Sequence, residues 1–292
     1  MYREKKPFDV SPYDHPDIYP GPRPATSFLY WKGKAHRMEA EQGLPVEQHS
    51  IHFPNMDHVL GSLAFQSANV KKVEEVLLED GLSSKVPVVA YGSNVCLAQL
   101  QYKFGLRPEE DDFMLCLKGK VLDSDIVYAP FLAPYGSLPA VIAPVKGAVA
   151  EVWLTFIDKK QLELINSTEI DYELREHSGQ KVHLDTGEVF ERVYAYYKPQ
   201  ALLWEGKMRR FADIPGNSPL PSVWQSDMLN ELKVAVEHKG TREEFIHLLR
   251  WDRRYRDYVE DYLESECTHT FDHSDWKEVE TIVSVGEMKR SF

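Results

Sequence analysis

The sequence predicts an α+β protein: a small, mixed but mostly antiparallel β-sheet or barrel, with an extended N-terminal segment and a helical C-terminal extension. Six prolines fall within the eighteen positions 7–24, which excludes a continuous helix there. Residues 86–197 contain seven short valine-rich runs but only two helical patterns, which argues against repeated βαβ units. Beyond Pro199 the pattern becomes helical. We therefore divide the chain at 1–85, 86–199 and 200–292.

The composition is that of a globular protein. The chain has 292 residues, of which 43% are hydrophobic, enough for a sizeable core. No uninterrupted apolar run approaches eighteen residues, and the N-terminus lacks the apolar centre of a signal peptide. The three cysteines, Cys96, Cys116 and Cys267, form no C-x-x-C pair, which favours reduced thiols. We expect a cytoplasmic protein that does not bind membranes.

The charge balance argues against nucleic acid as a partner. The formal net charge is −12, which repels polyanions and anionic lipid surfaces. The most arginine-rich stretch, "TREEFIHLLRWDRRYRDYVEDYLESE", carries five arginines against eight acids. Such a balance is typical of a helix surface with many ion pairs.

The N-terminal segment is too apolar to be a solvated linker, because aromatic and aliphatic residues alternate with its prolines. We expect it to pack on the rest of the chain. Further along, "VKKVEEVLLED" places Val70, Val73, Val76 and Leu77 at helical spacing and ends at Gly81, which predicts a helix.

The central segment predicts strands at "VPVVAY", "MLCLKGKVL", "IVYAPFL", "AVIAPV", "AVAEVWLTF", "KVHL" and "VYAYYKP". Two helices interrupt them. One is "NVCLAQLQYKF", with Ser93 or Asn94 as its cap, and the other is "IDKKQLELINSTE", capped by Asp158. "LDTGEV" predicts a hairpin turn. In the C-terminal extension, Thr241 followed by Glu244 predicts a capping box that opens one long helix.

The stretch "VVAYGSN" leads a strand into Gly92 and Ser93 directly before a helix. A glycine there permits a tight bend and a close approach of a ligand to the backbone. N–H groups that converge at such a turn favour a carboxylate or a phosphate. The alternative is a plain connection in which Asn94 only caps the helix.

Other chemistries find less support in these residues. Ser93 lacks the G-x-S-x-G context of a serine nucleophile, and no G-x-x-x-x-G-K-[ST] phosphate loop is present. His49 with His52, and His269 with His273, have spacings that a metal could use, but no H-E-x-x-H or cysteine accompanies them. We therefore expect packed or surface histidines, and neither a metal nor a cofactor.

Residues 86–199 resemble the γ-glutamylcyclotransferase superfamily. The family's opening strand and loop read Y-G-S-N or Y-G-S-L, as "AYGSN" does here. A G-x-P-A segment, a second glycine and a helix that ends in an acid follow in the family. The corresponding stretches here are "YGSLPAVIAP", "KGAVAEVWLTF" with Gly147, and "TEIDYELR" with Glu169, Tyr172 and Arg175. "VHLDTGEVFERVYAYYKP" is similar to the closing strands.

The resemblance implies the family's small barrel and its reaction. Family members release 5-oxoproline from a γ-glutamyl amine or peptide when the substrate's α-amine attacks its own γ-carbonyl, without metal or cofactor. Carried over to this sequence, the resemblance implies that Glu169 is the catalytic residue that transfers a proton, and that the substrate is a small γ-glutamyl molecule. The implied substrate-binding residues are Tyr91, Gly92, Ser93, Asn94, Val95 and Tyr172.

Two features keep alternatives open. Ile170 stands where the family commonly has glycine, and Glu173 and Glu176 lie close enough to compete for the role of the acid. A binding or scaffold protein that has lost catalysis, or an amidohydrolase or lyase of another amide, therefore remains possible. The segments 1–85 and 200–292 have no counterpart in a minimal family member, and they could set substrate choice or form a homodimer contact.

Overall fold

The computed structural model describes residues 9–53, 69–77, 81–109, 111–271 and 275–292. The described N-terminal residues before β1 combine short turns, including a 3-10 turn at Pro16–Ile18, with irregular backbone, and they bury Ile18 and Tyr19. The first elements are β1 (Phe28–Trp31), β2 (Lys34–Glu39), β3 (Ser50–Phe53), β4 (Asn69–Lys72), α1 (Val73–Val76) and β5 (Val86–Ala90).

The central segment contains two short helices among its strands. Its elements are α2 (Leu97–Gly105), β6 (Met114–Tyr128), β7 (Ala140–Ile157), α3 (Lys159–Asn166), β8 (Glu173–Ser178), β9 (Val182–Leu184), β10 (Val189–Phe190) and β11 (Arg192–Tyr197).

The last third of the chain combines very short strands with three helices. Its elements are β12 (Gln200–Trp204), β13 (Lys207–Met208), β14 (Arg210–Phe211), β15 (Gly216–Asn217), β16 (Ser222–Val223), α4 (Gln225–Ala235), α5 (Arg242–Trp251), α6 (Arg253–Cys267), β17 (Thr268–Thr270), β18 (Lys277–Glu278) and β19 (Arg290–Ser291). None of the helices in the described ranges is long and apolar enough to cross a membrane.

One large sheet dominates, and its strands run in the order β18, β8, β11, β5, β7, β6, β1, β2, β3, β4. Each neighbouring pair on this path is antiparallel except β5 with β11. The α+β class with a mostly antiparallel sheet is therefore confirmed. Among the residues that the structure describes, this path stays open and no closed barrel is found. The free edge of β6 pairs with β1, and the free edge of β8 pairs with β18.

The central segment does contain seven strands, β5–β11, but the predicted bounds were wrong, and β8 was not among the predicted runs. Two predicted runs merge into the 15-residue β6 and two more into the 18-residue β7, and these two strands pair along their length. The register shifts between Leu122 and Ser124, where Asp123 has a φ of 53° and its carboxylate accepts a hydrogen bond from the Gly147 N–H at 2.9 Å. Glycine and proline here mark a bulge and a bend rather than strand ends.

Two further local predictions were wrong. Residues 69–72 form β4 rather than the start of a helix, because they pair with β3. Of the predicted helix only Val73–Val76 is helical. Its positions 78–80 lie outside the described residues. The "LDTGEV" segment does turn, since the Gly187 N–H donates to the Leu184 carbonyl at 2.9 Å. It closes no hairpin, however, because β9 pairs with β6 and β10 with β19.

The capping predictions have mixed outcomes. Asp158 caps α3 and Thr241 caps α5, each within a complete capping box. The single C-terminal helix is instead two, because Asp252 leaves helical geometry and accepts the Tyr255 N–H as the cap of α6.

Candidate active site

A cavity of about 240 Å³ lies beyond the C-terminal end of β5. The loop after β5, helix α2, the start of β7 and the segment after α3 line it, together with the N-terminal segment. The size suits a small molecule rather than a macromolecule.

The structure brings most of the predicted site residues to this cavity. Glu169, Tyr172 and the four consecutive residues 91–94 all line it, although 75 positions separate Glu169 from Asn94. Val95 does not line the cavity, because its side chain is buried in the hydrophobic cluster beneath the loop. Ile170 is 81% exposed and stands at the rim.

The loop after β5 is a single 3-10 turn, Ser93–Val95, closed by a hydrogen bond from the Cys96 N–H to the Ser93 carbonyl. Helix α2 then begins at Leu97 with Cys96 at its N-cap position. The prediction that Ser93 or Asn94 caps this helix was therefore wrong. The side chain of Asn94 instead points toward the residues that surround Glu169.

Gly92 has a tight environment that involves the N-terminal segment. A Cβ atom at this position would lie 2.7 Å from the Tyr19 hydroxyl oxygen. The same hydroxyl accepts a hydrogen bond from the Ala140 N–H at 3.0 Å. We predicted that the missing Cβ of Gly92 lets a ligand approach the backbone. In the structure the Tyr19 hydroxyl occupies that space.

Glu169 forms an ion pair that the sequence reasoning missed. Lys103 Nζ lies 2.7 Å from Glu169 Oε1 and donates at 2.6 Å to Asn94 Oδ1, while Asn94 Nδ2 donates to the same Oε1 at 3.3 Å. The side chains of Lys103 and Glu169 are only 7% and 15% exposed. Both contacts end on Oε1, and among the described residues Oε2 has no hydrogen-bond partner.

The two competing acids lie elsewhere. Glu173 accepts a hydrogen bond from Arg175 at 3.1 Å, and Glu176 one from Arg192 at 3.3 Å, and neither lines the cavity. Asp171 does line it, but its side chain is exposed. Glu169 is therefore the acid that is both partly buried and held by the loop after β5.

Seven tyrosines from the described part of the chain line the cavity, whereas the sequence reasoning named only Tyr91 and Tyr172. They are Tyr13, Tyr19, Tyr91, Tyr102, Tyr135, Tyr172 and Tyr196. The predicted pair has its hydroxyls engaged within the protein, because Tyr91 donates to the Tyr196 carbonyl and Tyr172 to the Ala140 carbonyl at 2.7 Å. These two residues therefore shape the wall.

Burial keeps these phenols protonated. Desolvation raises the pKa of Tyr91 and of Tyr172 well above the usual tyrosine value, and the negative charge of Glu169 adds to the effect. Burial likewise raises the pKa of Tyr13 to about 12. These tyrosines of the cavity wall are therefore uncharged at neutral pH.

No protein-family model matches this chain, and neither a curated protein nor a solved structure matches it. Its chemistry must be argued from its own residues.

Within the described ranges, no three His, Cys, Asp or Glu side chains stand together as a metal would need. His49 is buried and its Nδ1 accepts the Glu41 N–H at 3.2 Å, while His52 Nε2 lies 3.2 Å from a carboxylate oxygen of Glu39. His269 lies in β17, whereas His273 is outside the described residues.

The C-terminal extension holds the cavity wall through two arginines. Arg250 of α5 donates to the carbonyls of Tyr13 and Asp14 at 2.7 and 3.0 Å. Arg256 of α6 donates to the Pro134 carbonyl at 2.8 Å, directly before Tyr135. Helices α5 and α6 therefore fix both the N-terminal segment and the loop that carries Tyr135.

Proposed function

We propose that this protein is a γ-glutamylcyclotransferase-like enzyme that releases 5-oxoproline from a γ-glutamyl amine or peptide. The observation that supports it best is the convergence of Glu169 with residues 91–94 in one cavity. These two segments are the ones to which the resemblance assigns proton transfer and substrate binding.

The proposed reaction forms one bond and breaks another within the same substrate. The α-amine attacks the γ-carbonyl carbon, a new C–N bond closes the five-membered ring, and the original amide C–N bond breaks to release the amine. Holding the glutamyl chain folded uses the high effective molarity of an intramolecular step, up to about 10⁵–10⁸ M in well-oriented cases.

Glu169 would move the proton in this scheme. Its Oε1 is held by Lys103 and Asn94, so Oε2 is the oxygen that accepts a proton from the α-ammonium and returns it to the leaving nitrogen. Lys103 keeps the carboxylate oriented through its contact with Oε1.

The loop after β5 would bind the remaining charges. The backbone N–H groups of residues 92–95 would receive the substrate carboxylate or the oxygen charge that develops at the γ-carbonyl. We further propose that residues 86–199 correspond to the family's small barrel, with strands of the two extensions added at its edges. Among the described residues, Cys96, Cys116 and Cys267 are buried and form no disulfide, which is compatible with a cytoplasmic enzyme.

The test measures 5-oxoproline release from γ-glutamyl amino acids, γ-glutamyl amines and glutathione. Wild type, Glu169→Gln and Glu163→Gln are compared; Glu163 is an exposed acid on α3 and provides the matched control. We expect Glu169→Gln to lower kcat by about 10²–10⁴-fold, the usual contribution of general acid–base catalysis, and Glu163→Gln to retain activity.

A binding protein that has lost catalysis is the second candidate. It is favoured by the Lys103–Glu169 ion pair and by the Tyr19 hydroxyl beside Gly92, both of which occupy groups that a substrate would use. Tight calorimetric binding of γ-glutamyl compounds without product would support this candidate. Glutamate in place of 5-oxoproline would instead indicate hydrolysis of the amide.

A further inference from the structure

We propose that the cavity selects γ-glutamyl amines whose leaving group is aromatic or apolar and carries no carboxylate. This inference rests on the proposed function and specifies its substrate class. It implies that γ-glutamyl amino acids and glutathione, which place a carboxylate on the leaving side, are the poorer ligands.

An aromatic wall stands beside the loop that would bind the glutamyl group. The ring of Tyr13 lies between those of Tyr102 and Tyr135, with centroid distances of 4.3 and 4.6 Å. Tyr135 and Ser93 both line the cavity, so the aromatic wall and the loop after β5 face the same space. A leaving group that extends from the loop therefore meets three tyrosine rings.

The wall continues to the solvent as an apolar rim. Tyr102 and Leu106 lie on or directly after α2 and remain 46% and 51% exposed. Large apolar side chains left exposed at the mouth of a cavity favour an apolar ligand that covers them. An aromatic ring gains most, since offset contacts between rings add to the area that is buried.

The charges of the cavity disfavour a second carboxylate. Lys103 is the one basic residue among the described residues that line it, and its ammonium already contacts Glu169 and Asn94. Glu169 and Asp171 add negative charge. A carboxylate on the leaving group would lose its hydration without gaining a cation, which is costly.

Two cations that contact residues of the lining are also engaged. The Lys198 ammonium lies 4.1 Å from the centroid of the Phe131 ring, and Phe131 lines the cavity. The Arg250 guanidinium binds two backbone carbonyls of the N-terminal segment. Moving either one to a substrate carboxylate would disrupt a contact that holds the wall.

The experiment uses two substrates that differ in a single carboxylate, γ-glutamyl-phenylalanine and γ-glutamyl-phenethylamine. We expect kcat/KM and calorimetric affinity to favour the phenethylamine compound by at least about tenfold, because of the unpaired charge. Equal values, or a preference for γ-glutamyl-phenylalanine, would overturn the inference.

Variants test the aromatic wall separately. Tyr102→Leu and Tyr13→Leu should each reduce the preference for γ-glutamyl-phenethylamine over γ-glutamyl-ethylamine by about 2–10-fold, the range of one aromatic contact. Tyr102 is the safer variant for folding because it is nearly half exposed. The exposed Tyr258 on α6, changed to leucine, is the matched control; a reduction as large in this control would contradict the assignment.

The outcomes also separate the inference from the proposed function. If neither these two compounds nor any other member of the γ-glutamyl panel is turned over, the proposed reaction fails, but the ratio of the two dissociation constants still decides the selectivity. If turnover occurs without a carboxylate effect, the reaction stands and the inference fails. If neither compound binds, both are overturned.

Discussion

Lys103 is the residue whose position most changes the interpretation of Glu169. It comes from the last turn of α2, and its ammonium reaches both the carboxylate of Glu169 and the amide oxygen of Asn94. One buried lysine therefore connects the loop after β5 to the segment after α3. A carboxylate held in this way is positioned before any substrate arrives.

Lys103→Met should lower both stability and turnover. The change leaves Glu169 partly buried without its cation, so we expect a loss of about 1–3 kcal/mol in the free energy of unfolding. Urea unfolding of the single variants and of Lys103→Met/Glu169→Gln measures this loss. In the double variant the stability should recover in part; strictly additive losses would contradict a direct interaction.

Gly92→Ala should disturb the contact between the loop and the N-terminal segment. The new Cβ would meet the Tyr19 hydroxyl at 2.7 Å, so we expect a destabilisation of about 1–3 kcal/mol, as is usual for overpacking. Thermal and urea unfolding measure the effect.

Two variants control this prediction. Tyr19→Phe added to Gly92→Ala removes the clashing oxygen and should restore part of the stability. Gly105→Ala, where no atom lies within 4 Å of the new Cβ, should be neutral or stabilising. A similar loss in Gly105→Ala would show that the effect at Gly92 is not steric.

At the scale of elements, α5 holds the N-terminal segment in two places. Arg242 makes a bidentate ion pair with Asp17, and Arg250 binds the carbonyls of Tyr13 and Asp14. The segment contains little regular structure of its own, so these contacts and the burial of Ile18 and Tyr19 position it.

Arg250→Ala should loosen the N-terminal segment and with it the aromatic wall. We expect faster proteolytic cleavage within residues 9–24 and a higher KM, because Tyr13 loses its backbone anchor. Limited proteolysis with mass spectrometry and steady-state kinetics measure both. Arg253→Ala is the control, since Arg253 is exposed on α6; equal cleavage in the two variants would contradict the role of Arg250.

Some elements could be predicted from the sequence because their causes are local. Asp158 and Thr241 were identified as caps since a capping box involves only neighbouring residues. The end of α5 at Asp252 was missed, because the helical spacing of apolar residues continues across it. Strand β4 was missed since its backbone partner, β3, is distant in sequence.

The same distinction applies to the candidate site. The resemblance named Glu169, Tyr172 and residues 91–95 because each lies in a short ordered motif, and of these only Val95 does not line the cavity. Lys103, Tyr13 and Tyr19 belong to no motif and reach the cavity only through tertiary packing. One local signal was available in the sequence. At helical spacing, Lys103 falls on the same face of α2 as the apolar residues Leu100 and Phe104.

On the scale of the whole molecule, the large sheet joins strands from all parts of the described chain. β1 pairs with β6, β14 and β9 also pair with β6, and β18 pairs with β8. We therefore expect one cooperative unfolding transition, with tryptophan fluorescence and far-ultraviolet circular dichroism coinciding in urea. Two separated transitions would show that one of the extensions folds independently.

Stability should fall in alkali because the tyrosines of the cavity ionise more readily in the unfolded chain. The pKa of Tyr13 is about 12 in the folded protein and about 10 when unfolded. The stability that it contributes is therefore fully present below pH about 10 and is lost as the pH rises toward 12.

Urea unfolding at a series of pH values measures this decline, and near-ultraviolet phenolate absorbance follows the ionisation. Tyr13→Phe should make the decline shallower, since the variant has one shifted phenol fewer. An equally steep decline in Tyr13→Phe and wild type would contradict the contribution of Tyr13.

The contact of Tyr19 with Gly92 and Ala140 has a consequence for synthesis on the ribosome. Tyr19 emerges before both of its partners, and Arg242 and Arg250, which anchor its segment, emerge a further hundred residues after Ala140. The nascent N-terminal segment therefore has no complete docking surface until α5 has been made. The cavity is therefore completed late in synthesis.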